Sequence, residues 1–108
     1  MGKIKTIFEN AHVENRAALI AYLPAGFPSL DGSVAIINEM FKNGIDLIEV
    51  GVPYSDPLMD GPIIQEAVDI ALKNKTGINE VMNVVKKVSQ TTKAVLTMSY
   101  WSPIERWG

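Results

Sequence analysis

Apolar positions along the chain alternate between a helical period and short continuous runs, and each switch marks the boundary of an element. Ile4, Ile7, Phe8 and Ala11 recur at helical spacing and predict a short amphipathic helix at the start. The run Ala17 to Leu23 is closed by Pro24, Gly26 and Pro28. An apolar run of that length between breakers predicts a strand buried on both faces. Ser29 offers an N-cap oxygen and Asp31 a negative charge for the first turn of the next helix. Its apolar stripe is Val34, Ile37, Met40 and Phe41, and Gly44 supplies the stop. A second buried strand, Asp46 to Val50, follows at once. Ile64, Ala67, Val68, Ala71 and Leu72 make another helical stripe. After a break at Thr76-Gly77, Ile78, Val81, Met82, Val85 and Val88 make one more. A third strand, Ala94 to Met98, precedes Tyr100, Trp101, Pro103 and Trp107, with no helix expected after it.

The order is therefore helix, strand, helix, strand, helix pair, strand. Strands joined by crossovers of this length run parallel, and right-handed units place the helices on one side of the sheet. The sequence has no internal repeat and no low-complexity linker, so residues 1–108 read as one small domain with no second. No strand is followed by Gly-x-Gly-x-x-Gly or a Walker-type loop, so the usual dinucleotide and P-loop readings lack their signature. A barrel-type β/α architecture of the α/β class is the better expectation.

Composition narrows the chemistry. Ten Lys and Arg against twelve Asp and Glu give a net charge of -2, which argues against a nucleic-acid or polybasic membrane surface. Without cysteine, a disulfide scaffold, a thiol nucleophile and a Cys-ligated zinc site are excluded. The single histidine, His12, leaves no His-rich metal site and reads as a surface residue. The longest aliphatic run, Val34 to Ile37, is too short to span a bilayer, and no signal-peptide core follows the N-terminal lysines. A cytoplasmic location is expected. Met1 to Thr6 fits a myristoylation pattern and Asn74-Lys75-Thr76 a glycosylation sequon, but both are short patterns that arise by chance.

One carboxylate stands inside a strand that is otherwise apolar. By the two-residue period of a strand, Leu47, Glu49 and Gly51 face one way and Ile48, Val50 and Val52 the other. In a β/α barrel the second set packs on the helices and the first points inward. An inward carboxylate near the strand's C-terminal end is expensive unless paired, hydrated or used, and barrel enzymes hold their active sites at that mouth. The segment Gly51 to Pro62 carries three prolines and two glycines and can only be an ordered loop. It ends near Asp60, which such a loop brings back over the same mouth. Two carboxylates flanking a pocket divide labour, one moving a proton and the other anchoring or polarising a substrate. Structural readings stand beside this one: a solvated rim for Glu49, a turn or helix cap for Asp60 and Asp56, and core packing for Tyr22, Met98 and Tyr100.

The stretch from Ile48 to Gln65, IEVGVPYSDPLMDGPIIQ, closely resembles the signature of the tryptophan synthase alpha chain family. Tyr22-Leu23-Pro24-Ala25-Gly26-Phe27-Pro28 resembles the family's first strand and loop, and Met98 to Ile104 its third. Departures are few: Phe27 where many members have Asp, Met59 where Ala is common, and Ser102 where Asn is common. The resemblance implies a TIM (β/α)8 barrel of which this sequence holds the first three β/α units. It implies cleavage of indole-3-glycerol phosphate to indole and glyceraldehyde 3-phosphate, a retro-aldol lyase reaction of tryptophan biosynthesis. Glu49 would be the general acid/base at the indole ring carbon, and Asp60 the acceptor for the indole N–H. Tyr22, Ile64, Met98 and Tyr100 align with positions that hold the flat ring, and the loop with Pro53, Asp56 and Pro57 faces a tryptophan synthase beta chain. In the family that partner completes an alpha2-beta2 heterotetramer and owns the pyridoxal phosphate, so no cofactor and no metal is implied for this chain.

A complete barrel of this type needs about 250 residues and eight strands. The glycine-rich loops that grip the substrate phosphate come later in the family and are not in this sequence. The sequence is thus expected to be inactive and marginally stable by itself, with open sheet edges and an exposed Tyr100, Trp101 and Trp107 cluster. The alternative is a non-catalytic piece that only binds the beta chain.

Overall fold

The computed structural model describes residues 2–55, 60–89 and 93–107, with only the backbone of Ser102 and Trp107. Three strands, β1 (Ile20–Pro24), β2 (Leu47–Gly51) and β3 (Ala94–Met98), form one sheet in the order β1-β2-β3. Both pairs are parallel, as the helical crossovers require. The helices are α1 (Gly2–Val13), α2 (Leu30–Lys42), α3 (Pro62–Lys73), α4 (Ile78–Val88) and α5 (Trp101–Trp107). None among the described residues is long and apolar enough to cross a membrane.

The two faces of β2 divide as the alternation predicts. Ile48, Val50 and Val52 are buried in a core with Ile37 and Phe41 of α2 and Val81, Val84 and Val88 of α4. Leu47 points to the opposite face, where α1 covers the sheet's N-terminal end through Ile7. The register then repeats across the sheet: Ile20, Leu47 and Ala94 form one row, Tyr22, Glu49 and Leu96 the next, and Pro24, Gly51 and Met98 the last. Side chains in one row share one face, so a barrel-type inner face carries a single carboxylate, Glu49.

α2 begins as expected: Ser29 is its N-cap, and its Oγ accepts the Gly32 N–H at 2.9 Å. Gly44 follows the C-cap Asn43 with φ +104°, the left-handed conformation that ends a helix. Between α3 and α4, Asn74 holds the loop after β1 by donating its side-chain N–H groups to Gly26 O at 3.1 Å and Pro28 O at 2.7 Å. Thr76 is buried against Gly26. The sequon-like triplet is therefore structural, its asparagine nitrogen committed to two carbonyls.

Two expectations need correction. The first strand is shorter than the apolar run: it starts at Ile20, and Leu19 and Ile20 are 54% and 47% exposed. The apolar content of that run is real, but α1 covers Leu47 and Ala94 in that row and leaves Ile20 exposed at the sheet edge. A helix also follows the third strand, α5, where Pro103 reads as a breaker. Pro103 is the third residue of that helix, within the first turn, where a missing N–H costs nothing.

The N-terminal end of the sheet is locked electrostatically. Asp46, just before β2, is buried and accepts from Arg16 Nη1 at 2.8 Å, Arg16 Nη2 at 3.1 Å and the Leu19 N–H at 2.8 Å. Lys93 Nζ lies 3.8 Å away. The Arg16 hydrogen bonds, followed by that of Leu19, hold the Asp46 carboxyl at about 2, below its ordinary 3.8.

Candidate functional site

The C-terminal end of the sheet gathers most of the sequence-predicted residues. A cavity of about 290 Å³ is lined by Tyr22, Val52, Asp60, Met98, Ser99 and Tyr100. Tyr22 comes from the middle of β1, Met98 ends β3, and Asp60 arrives from the far end of the β2–α3 loop. Most of this wall is apolar, and Asp60 is the acidic residue among the described residues that line it. Such a cavity suits a flat, largely apolar ligand carrying one polar hydrogen.

Tyr22 occupies its position because Gly51 has no side chain. A Cβ built on Gly51 would fall on the Tyr22 phenol, 2.6 Å from Cζ and 2.9 Å from Cε2. The ring thus crosses from β1 over the end of β2. Burial, then the charges of Asp60, Tyr100 and Glu49, push the Tyr22 hydroxyl up to about 12. Tyr22 therefore keeps its proton at neutral pH and feels both carboxylates.

Glu49 does not line that cavity. It is half-buried directly opposite Tyr22 in the strand register, on the same face and one row nearer the N-terminal end than Met98. Among the described residues no hydrogen bond or ion pair engages its carboxylate. Asp60 is not the helix cap that its sequence neighbours allowed: Gly61 is the N-cap of α3, and Pro62 opens the helix. Gln65, one turn into α3, donates its side-chain N–H to the Asp60 carbonyl at 2.8 Å.

Ile64 falls elsewhere. It lines a neighbouring groove of about 440 Å³ with Leu23, Pro24, Phe27 and Ile63, which touches the first cavity only through Tyr22. α3 carries Ile64 toward the end of β1 rather than toward β3. Pro53 is buried within this chain, whereas Asp56 and Pro57 lie outside the described residues.

Sequence reasoning missed four contributors, the first being Val52, which it set on the helix-facing side and which also lines the cavity. Tyr54, from the loop, places its ring 5.7 Å from that of Tyr100 at an interplanar angle of 43°. Ser99 closes the cavity floor beside Met98, and Gln65 reaches Asp60. Only Gln65 left a signal, as a polar residue one turn into a helix whose cap has no side chain. A larger cavity of about 480 Å³ surrounds Asp46, Arg16 and Lys93 at the opposite end, but its two carboxylates, Asp46 and Glu14, already accept from Arg16, and Asp46 also from the Leu19 N–H. The charges there pair with one another and lock the N-terminal end of the sheet.

The sequence model of the family described as tryptophan synthase alpha chain matches residues 8–108. The tryptophan synthase alpha chain of Streptomyces avermitilis is 54% identical over 99 residues, which cover 91% of this chain and 36% of that protein. That of Salinispora tropica is 44% identical over 108 residues, covering 100% and 40%. In three dimensions, a crystal structure of tryptophan synthase from M. tuberculosis, in its aminoacrylate-bound form, matches with a TM-score of 0.93 and 40% identity. The match covers 98% of this chain and 43% of that one. Tryptophan synthase subunit alpha from Legionella pneumophila matches with a TM-score of 0.91 and 32% identity, covering 98% and 41%. The chain thus spans well under half the length of these relatives. Its register, its loop and these matches agree that this chain belongs to the tryptophan synthase alpha chain family and holds the first three β/α units of that family's TIM barrel.

Proposed function

We propose that these residues form the indole side of a site that cleaves indole-3-glycerol phosphate to indole and glyceraldehyde 3-phosphate. The observation that carries the reading is the apolar cavity between Tyr22, Met98 and Tyr100 with Asp60 on its wall and Glu49 opposite Tyr22. In the proposed reaction the Glu49 carboxyl delivers a proton to C3 of the indole ring, leaving a cationic indoleninium. Asp60 accepts the ring N–H and stabilises that charge, an anionic acceptor placed where positive charge develops. The bond from C3 to the glycerol side chain then breaks, and its electron pair returns the ring to neutral indole. The adjacent side-chain hydroxyl becomes the aldehyde, and its proton returns to Glu49. Tyr22, protonated and crossed over Gly51, packs against the ring without competing for the proton.

A beta chain is the proposed partner that takes up the released indole, with the loop from Pro53 to Asp60 facing it. Titrating the chain against a purified beta chain tests this part, and absence of a complex at micromolar concentration would refute it.

The catalytic reading is tested in a complete barrel, with residues 8–108 grafted in place of the matching segment of the Streptomyces avermitilis relative. Indole release from indole-3-glycerol phosphate by the folded graft is expected. A folded graft that binds the substrate and releases no indole would overturn it.

A further inference from the structure

We infer that Gln65 is a positioning residue that holds Asp60 in the orientation its proposed role needs; the inference rests on the reading of Asp60 given above. Asp60 ends a long loop, and its side chain hangs from backbone that no strand or helix contains. Two features fix that backbone. Gly61 is extended, φ -76° and ψ 172°, as the residue before a proline must be, and Pro62 sets the start of α3. The peptide plane between Asp60 and Gly61 adjoins the Cα that carries the carboxylate, so its setting bears on where that side chain stands. Gln65 Nε2 donates to the carbonyl of this plane at 2.8 Å, in a part-buried setting.

Gln65 itself stands on a rigid base. Its own N–H donates to Gly61 O at 2.9 Å, the first turn of α3, and the buried Ala67, Val68 and Ala71 anchor the helix below it. The side chain therefore transmits the position of a packed helix to the end of a loop. A helix cap alone does not call for this bond, because the carbonyl it serves precedes the helix and α3 takes no side-chain cap at Gly61. The carbonyl belongs to Asp60, the acidic residue among the described residues that line the cavity.

The test uses the complete grafted barrel and Gln65→Met, which keeps the length and removes the donor. kcat for cleavage of indole-3-glycerol phosphate is expected to fall about tenfold while KM moves less than about twofold, because misplacement acts on the step in which charge develops. A second measurement does not depend on turnover: the affinities of indole and 1-methylindole by calorimetry. Only indole has the N–H that Asp60 accepts, so Gln65→Met is expected to weaken indole several-fold and leave 1-methylindole unchanged. Gln65→Glu, an acceptor facing a carbonyl, is expected to reproduce or exceed both losses. Equal weakening of the two ligands would mean a general structural role and overturn the inference, as would unchanged kcat with the preference intact. Asp60→Asn separates the levels. If it is inactive while Gln65→Met is fully active, only the positioning role falls; if it retains full kcat, the reading of Asp60 falls with it.

Discussion

Gly51 and Tyr22 are coupled tightly enough for one substitution to change sign with its neighbour. In Gly51→Ala the new Cβ lies 2.6 Å from Tyr22 Cζ and 2.9 Å from Cε2, against the ordinary carbon separation of about 3.5–4.0 Å. The ring must retreat by roughly 1 Å, since the backbone is held on both sides by the sheet and by the Ala25 N–H on Gly51 O at 3.0 Å. Overpacking of this kind costs about 1–3 kcal/mol. Gly51 has no left-handed φ, so alanine also restricts the unfolded chain and returns about 0.4–1 kcal/mol. The net expectation is a destabilisation of about 1 kcal/mol, read from the urea midpoint of the complete barrel at constant m. In a Tyr22→Ala background the clash is gone, and Gly51→Ala is then expected to stabilise by about 0.5 kcal/mol. Indole affinity should fall in the single Gly51→Ala variant, because the displaced ring moves into the cavity it lines. Equal destabilisation in both backgrounds would refute the packing argument.

Two further predictions concern stability. Asp46 has a folded pKa of about 2 against 3.8 unfolded, so its contribution is fully present above about pH 4 and fades as pH falls toward 2. The shift alone corresponds to about 2 kcal/mol, reduced to about 1 because Arg16 is solvated; the gap between wild type and Asp46→Asn should narrow by that amount in urea melts from pH 5 to pH 2, and a constant gap would refute the pairing. Gly26→Ala and Gly44→Ala both force alanine to a positive φ, +89° and +104°, but only at Gly26 does the Cβ collide, with Thr76. Gly44→Ala is expected to cost about 1 kcal/mol and Gly26→Ala at least about 2, and equal losses would remove the clash from the account.

The parts of the fold legible in the sequence were those set by local period. The stripe Val34, Ile37, Met40 and Phe41 faces the core, and the alternation through Leu47 to Val52 assigned both faces of β2. The third strand spans Ala94–Met98 as read. What the period does not encode is which rows a neighbour covers, hence the exposed Leu19 and Ile20, or that a proline at 103 falls in a helix's first turn. In the site, Tyr22, Asp60, Met98 and Tyr100 line one cavity, whereas Ile64 is turned into the groove beside β1 by the direction of α3. Tyr54 and Gln65 join through side-chain reach across the loop, a long-range fact with no spacing of its own.

The central claim is that Glu49 moves the proton. Its most direct test is kcat and KM of Glu49→Gln in the complete barrel, which keeps size and removes the acid/base function. The account requires kcat to fall by about 10²–10⁴ with KM within about twofold, the span of general acid–base catalysis. Turnover unchanged from wild type would contradict it.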